Sequence, residues 1–216
     1  MHSSCLRWIA VGLGVLLASS VSGQGSRMIG RPAPAFTAPD VEGNTRTIGQ
    51  WRGRPLVILF FCSCDACRPV AQLWGEAQAT DALRPASGAV APTSSQKTAP
   101  ETLVFFAGDV EATRKFAGSV GLDPAQTILF PDYTFRTARR YNAIPCPRIF
   151  VVDRQGIVRY TNNEAGGKPD ETPAPVLVSR AITATHQAFT AGSPPVRRAT
   201  TSSKAKGERR APSRRP

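Results

Sequence analysis

Three stretches of the chain are apolar without alternation: Leu56 to Phe61, the segment 102–107 around Leu103-Val104-Phe105-Phe106, and Arg148 to Val152. A strand with one wet face alternates apolar and polar residues, so unbroken runs of this length predict strands covered on both faces. Thr127 to Phe130 predicts a further short strand. Helical spacing fills the gaps between them. Val70, Leu73, Trp74, Ala77 and Leu83 predict a helix over 68–83. Asp109 is placed to cap a second helix running to about Val120, with Gly121 to end it. A short helix is predicted over 133–141 and a closing helix over 175–189. Phe36 to Asp40 and Thr45 to Ile48 flank the turn signal Glu42-Gly43-Asn44, which predicts a small N-terminal hairpin. A second turn, Asp153-Arg154-Gln155-Gly156, sends the chain back as Ile157 to Tyr160. The order is a β-hairpin, then βαβαβα, ββ and α. Helices between apolar strands imply a layered α/β fold. Its central mixed sheet has parallel crossovers and an antiparallel final hairpin, and helices flank it. Trp51, Trp74 and Tyr141 read as packing residues of that core or of its edge.

At 216 residues and 41% hydrophobic, the chain is long enough for one domain with a real core. The 19 prolines and 18 glycines assign part of it to loops and ends. The net charge of +12 suggests nucleic acid until it is located. Residues 192–216 hold eight Lys and Arg against Glu208 alone, so they supply +7 of the total. The rest is mildly basic, and no specific nucleic-acid surface is expected. Residues 192–216 read as a disordered basic tail that could touch anionic surfaces. Residues 84–101, rich in Pro, Ser, Thr and Ala, read as a flexible insertion in the domain, which spans 24–191.

The N-terminus reads as an address. Arg7 precedes an apolar run from Trp8 to Val21, and Ser22 and Gly23 follow, in the order of a secretory signal over 1–23. The run is 14 residues, short of the roughly 20 that a membrane-spanning helix needs. Cys5 lies before the run, where lipid attachment after cleavage has no place. An exported, periplasmic or extracytoplasmic protein is expected, membrane-anchored if the segment is retained. In such a compartment thiols are not held reduced by default.

The remaining cysteines are Cys62, Cys64, Cys67 and Cys146, three of them within six residues. A structural disulfide framework spreads its cysteines, and this crowding marks a site. Cys64-Asp65-Ala66-Cys67 stands where a buried strand gives way to a helix. A helix N-terminus offers free N–H groups and a partial positive charge, which favours thiolate over thiol. Cys64 is the expected attacking sulfur, and Cys67, one turn on, the resolving one. Asp65 opposes the thiolate and Arg68 supports it. Half a zinc site and a purely structural disulfide are the other readings of a CxxC pair. The histidines, His2 and His186, stand far from it in sequence.

Gly30-Arg31-Pro32-Ala33-Pro34-Ala35-Phe36, Gly43, Trp51-Arg52-Gly53-Arg54-Pro55 and an apolar strand running into CxxC resemble the extracytoplasmic thioredoxin-like thiol-disulfide oxidoreductases. These sit in the superfamily of redoxins and alkyl hydroperoxide reductase/thiol-specific antioxidant proteins. The resemblance covers about residues 29–160 and implies a thioredoxin-like fold with the hairpin as an N-terminal extension. It implies a cis proline beside the active pair, a place that Pro147 matches and Pro145 matches less well by spacing. Ser63 and Ala66 stand where the family usually has Trp and Pro. The family's sheet also makes the strands ending at Cys62 and beginning after Cys146 antiparallel neighbours. These two thiols then either pack as small apolar groups, or form a second disulfide or pass electrons onward.

The function that this resemblance implies is exchange of electrons with disulfides of exported proteins. It needs no cofactor beyond the redox-active disulfide, and it draws on a membrane or extracytoplasmic electron donor. Two alternatives accompany it. A thiol peroxidase needs a Pro-x-x-x-Thr/Ser-x-x-Cys loop, and residues 60–67 supply neither the Pro nor the Thr. A copper chaperone would use Cys62, Cys64 and Cys67 as soft ligands with His186 as the distant histidine.

Overall fold

The computed structural model describes residues 28–85, 99–163 and 167–191. The segment 1–23 read as a signal, the expected tail 192–216 and most of the expected insertion 84–101 lie outside the described residues. The strands are β1 (Thr37–Pro39), β2 (Thr45–Thr47), β3 (Leu56–Phe61), β4 (Glu101–Phe106), β5 (Thr127–Pro131), β6 (Arg148–Val152) and β7 (Val158–Thr161). The helices are α1 (Cys67–Ala79), α2 (Val110–Ser119), α3 (Arg136–Arg140) and α4 (Ala174–Thr190), and a 3-10 turn spans Ile48–Trp51. β1 and β2 form the separate hairpin, while the other five strands make one sheet in the order β5-β4-β3-β6-β7. β3, β4 and β5 run parallel, and β6 and β7 join antiparallel, so the sheet is mixed as the pattern predicts.

β3 is central and buried along its whole length, which is why its sequence does not alternate. Val57, Leu59 and Phe61 face a core built with Val70, Ala71 and Trp74 of α1, Phe116 of α2 and Leu177 and Ala181 of α4. Leu56, Ile58 and Phe60 face a second core that includes Phe36, Trp51, Phe105, Phe130 and Tyr141. Trp51, Trp74 and Tyr141 are all buried in these two layers. The Trp74 indole N–H donates to the Thr102 hydroxyl at 3.3 Å, which satisfies the one polar atom that the ring carries inside. α1 also touches the turn after α2 backbone to backbone. A Cβ built on Gly75 would lie 2.5 Å from the Gly121 carbonyl oxygen, and Gly121 itself turns at φ +71°.

The element ends differ from the sequence reading for local reasons. The helix expected over 68–83 stops at Ala79. There the Thr80 hydroxyl donates to the Glu76 carbonyl at 2.9 Å, and Asp81 takes φ +54°, so Leu83 reaches the core from a turn. The helix expected over 133–141 shrinks to α3 because Phe135 turns left-handed at φ +55°. The buried Asp132 carboxylate then accepts the N–H groups of Thr137 and Ala138 at 3.2 and 2.8 Å. β7 begins at Val158, one residue late. The Asp153 carboxylate holds the N–H groups of Gln155 and Ile157 in the turn, each at 2.9 Å. Asp109 caps α2 as expected, accepting from the Ala112 N–H at 2.8 Å.

The hairpin carries the clearest acid-sensitive contact. Asp40 has no exposed side-chain surface. It accepts Arg46 Nε at 2.8 Å, the Asn44 N–H at 2.8 Å and the Glu42 N–H at 3.1 Å. Burial alone would raise its pKa, but the Arg46 and Asn44 hydrogen bonds outweigh it and hold the carboxyl below its ordinary 3.8. A carboxyl depressed in the native state stabilises the fold fully above its unfolded pKa. It loses that contribution as pH falls through the lower native value. Asp40→Asn is expected to cost about 1–3 kcal/mol at neutral pH and to flatten the stability curve below pH ~4. Urea titrations of both chains from pH 7 to pH 3 check this, and parallel curves would show that Asp40 is not a source of the acid limb.

Candidate functional site: four sulfurs at the end of the central strand

β3 ends at Phe61, and the next residue, Cys62, leaves the sheet. Residues 62–66 form a turn closed by the Cys67 N–H donating to the Cys64 carbonyl at 3.1 Å. α1 then starts at Cys67 and not at Cys64. The positive helix end therefore lies under the second cysteine of the pair, a correction to the sequence reading. What distinguishes Cys64 is access: it is exposed, whereas Cys67 is buried. Their sulfurs are 3.4 Å apart. Arg68 Nη1 donates to Ser119 Oγ at 3.4 Å.

β6 brings the fourth sulfur. The antiparallel register sets Phe60 opposite Arg148, and continued two residues past the end of β3 and before the start of β6 it brings Cys62 opposite Cys146. Cys146 Sγ lies 2.6 Å from Cys62 Sγ, and Cys62 Sγ lies 3.7 Å from Cys67 Sγ. The Cys62 N–H also points at Cys67 Sγ, at 3.3 Å. All four sulfurs lie within 4.8 Å of one another. The Ile144–Pro145 and Cys146–Pro147 peptide bonds are both cis, so Pro147 and Pro145 share the feature that the resemblance implied for one proline. His186 does not join the group: its Nε2 contacts the Ala82 carbonyl at 2.9 Å, beyond the far end of α1. The ligand set of three cysteines with His186 is thereby excluded.

Residues 29–161 match the AhpC/TSA family. The chain belongs to that family. A central mixed sheet flanked by helices, preceded by an antiparallel hairpin, is the thioredoxin-like fold of a redoxin. Among solved structures, a peroxiredoxin-like protein from Aquifex aeolicus is 13% identical with a TM-score of 0.51, over 74% of this chain and 87% of its own. A secreted disulfide oxidoreductase of Mycobacterium tuberculosis, homologous to E. coli DsbE, is 19% identical with a TM-score of 0.49, over 68% and 95%. The thioredoxin domain of a thiol-disulfide oxidoreductase from Bacteroides vulgatus is 19% identical with a TM-score of 0.44, over 63% and 89%. At 13% identity the likeness to the Aquifex aeolicus protein is one of fold alone. Comparison with curated proteins gives no match.

In this AhpC/TSA protein the crowding of sulfurs sets their protonation. Cys62 accepts hydrogen bonds from Cys146 and Cys67, which push its thiol well below the ordinary value of 9.0. Cys67 moves the other way, because a thiolate there would face the Cys146 and Cys62 sulfurs in a buried place. Cys146 is pushed up to about 12 by donating to Cys62 and by burial.

Three features of the site had no clear signal in the sequence. Asn162 ties down the proline loop: its Nδ2 donates to the Pro147 carbonyl at 3.2 Å and to Asp170 Oδ2 at 2.7 Å. Its Oδ1 accepts the Ile149 N–H at 2.8 Å. Arg148, directly after Pro147, has no exposed surface and donates from Nη2 to the Lys168 carbonyl at 3.0 Å, while its Nε and Nη1 find no partner among the described residues. Burial lowers its pKa, and the nearby Asp170 and Cys146 act in the opposite sense. The third feature is an apolar cavity of about 280 Å³, walled by Phe60, Phe105, Phe135 and Ile144, with Cys64 and Cys146 on its lining. Only the apolar walls were legible as hydrophobic residues. Their convergence beside the sulfurs depends on the loop path between α3 and β6.

Proposed function

We propose that this chain is an exported thiol–disulfide oxidoreductase working through Cys64 and Cys67. The observation that carries the reading is the exposed Cys64 sulfur standing 3.4 Å from the buried Cys67 sulfur. The Cys64 thiolate attacks one sulfur of a substrate disulfide. A mixed disulfide forms, and the other substrate sulfur leaves as a thiolate. Cys67 gives up its proton and attacks Cys64 Sγ, releasing the second substrate thiolate and leaving a Cys64–Cys67 disulfide. An extracytoplasmic thiol donor returns the two electrons. Pro147, held through its carbonyl by Asn162, keeps its loop against the pair, where it positions the incoming disulfide. The apolar cavity favours disulfides of exported proteins flanked by apolar side chains.

Export rests on the N-terminal order of charge, apolar run and small residues over 1–23. No described helix is long and apolar enough to cross a membrane.

The test is reduction of insulin disulfides with dithiothreitol as donor, together with the reduction potential of the Cys64–Cys67 couple. The expected results are turnover above that of dithiothreitol alone and a potential above about −300 mV. Turnover equal to the background, or a potential well below that value, would show a structural staple instead.

A further inference from the structure

The two sulfurs that the exchange step leaves unused lie closer together than the two it uses. Cys62 and Cys146 are separated by 2.6 Å, against 3.4 Å for Cys64 and Cys67. Uncharged sulfurs in simple packing contact do not approach this closely. The contacts also form an unbroken sequence: Cys64 to Cys67 at 3.4 Å, Cys67 to Cys62 at 3.7 Å, and Cys62 to Cys146 at 2.6 Å. Exposure marks the entry point: Cys64 is open to solvent, Cys67 beside it is buried, and Cys62 and Cys146 are partly exposed.

A metal ion is the competing use of four thiols. Zinc–sulfur bonds of about 2.3 Å in a tetrahedron place the sulfurs about 3.8 Å apart. The Cys67–Cys62 spacing suits that geometry, but Cys62 and Cys146 would have to separate by more than an ångström. The spacing favours bonding between these two sulfurs over shared ligation.

The geometry points to Cys62 and Cys146 as a second redox pair, fed from Cys64–Cys67 by exchange within the chain. This inference rests on the proposed exchange reaction. A substrate turn leaves a Cys64–Cys67 disulfide and the Cys62, Cys146 dithiol. The Cys62 thiolate attacks Cys67 Sγ. The Cys62–Cys67 bond forms, the Cys64–Cys67 bond breaks, and Cys64 leaves as a thiolate. Being exposed, Cys64 has room to swing into line as the leaving sulfur. Cys146 then loses its proton and attacks Cys62 Sγ. The Cys62–Cys146 bond forms, and Cys67 leaves as a thiolate that takes up a proton. Two electrons have passed from Cys62 and Cys146 to Cys64 and Cys67, with no outside oxidant or reductant. Cys64 is free again, so one chain delivers four electrons before its donor must return. The Cys146 thiol, which donates to Cys62 at 2.6 Å, lowers the pKa of the Cys62 thiol and favours it as the nucleophile in the middle of the route.

The experiment uses the full reduced chain, treated with excess oxidised glutathione, quenched in acid, alkylated, digested with trypsin and mapped by mass. Cys146 lies on a different tryptic peptide from the other three, so its participation is read directly as a cross-link. The expected wild-type end point is two disulfides, Cys62–Cys146 and Cys64–Cys67. Cys146→Ser is expected to take up one. Cys64→Ser, which lacks the entry point, is expected to form the Cys146 link about tenfold more slowly or worse. Cys62 and Cys146 both alkylated at the wild-type end point would overturn the inference. So would a Cys146 link forming at the same rate in Cys64→Ser, or stoichiometric zinc or copper held by all four thiols. If wild type and Cys146→Ser each take up a single disulfide, the second pair fails and the exchange reading stands. If neither takes up any, the exchange reading itself fails.

Discussion

Cys64→Ser lowers reduction of insulin disulfides by about a thousandfold or more, to the rate of the donor alone. A hydroxyl does not ionise at neutral pH and forms no bond with a substrate sulfur that can be exchanged, so the first step has no nucleophile. Among the four clustered sulfurs Cys64 is the exposed one, and a protein substrate cannot reach Cys67, which is buried. Cys67→Ser gives a different phenotype. Attack by Cys64 survives, resolution does not, and a mixed disulfide with substrate accumulates on Cys64. Non-reducing electrophoresis after an acid quench separates the two outcomes. Equal residual turnover in both variants, with no trapped adduct in Cys67→Ser, would move the attacking role away from Cys64, with Cys62 the next sulfur to test.

The fold was legible because its central strands are buried on both faces. Leu56 to Phe61 and Arg148 to Val152 carry no alternation, and that is the mark of a sheet covered by helices on one side and a hairpin layer on the other. The Cys64–Cys67 pair was legible for a related reason, since its spacing sits at a junction that the apolar pattern already defines. The helix ends were not legible. They depend on side-chain bonds to the backbone at Thr80, Asp132 and Asp153, which follow from no periodicity. Nor was the position of Cys64 ahead of the helix, because a single turn closed by the Cys67 N–H looks in sequence like the first turn of α1. The meeting of Cys62 with Cys146 lies between these cases. Separated by 84 positions, the two are joined only by the antiparallel register of β3 and β6. Pattern alone could not place it; the resemblance to a known sheet could. His186 shows the converse, a residue type suited to a metal whose backbone contact at Ala82 assigns it to packing.

Phe105→Ala is expected to be the most destabilising of the single substitutions considered, costing about 3–5 kcal/mol. The Phe105 ring is buried on β4. It stacks on Phe130 at 4.5 Å between centroids and on Phe60 at 5.2 Å, and Phe36 meets it edge-on at 5.0 Å. Phe60, Phe105 and Phe130 belong to adjacent strands of the sheet and Phe36 precedes the hairpin, so truncation removes the common neighbour of three other segments. Collapse cannot refill the space cheaply, because β3, β4 and β5 are fixed at both edges of the gap by their parallel ladders. Phe105 also walls the apolar cavity beside Cys64, and the void left by its ring opens into that cavity. At about 2–4 °C per kcal/mol for a domain of this size, the melting temperature falls by about 6–20 °C. Calorimetry and urea denaturation of the two chains measure the difference. A loss below about 1 kcal/mol would mean that the aromatic layer repacks freely, and the wall of the cavity would then be too soft to select a substrate side chain.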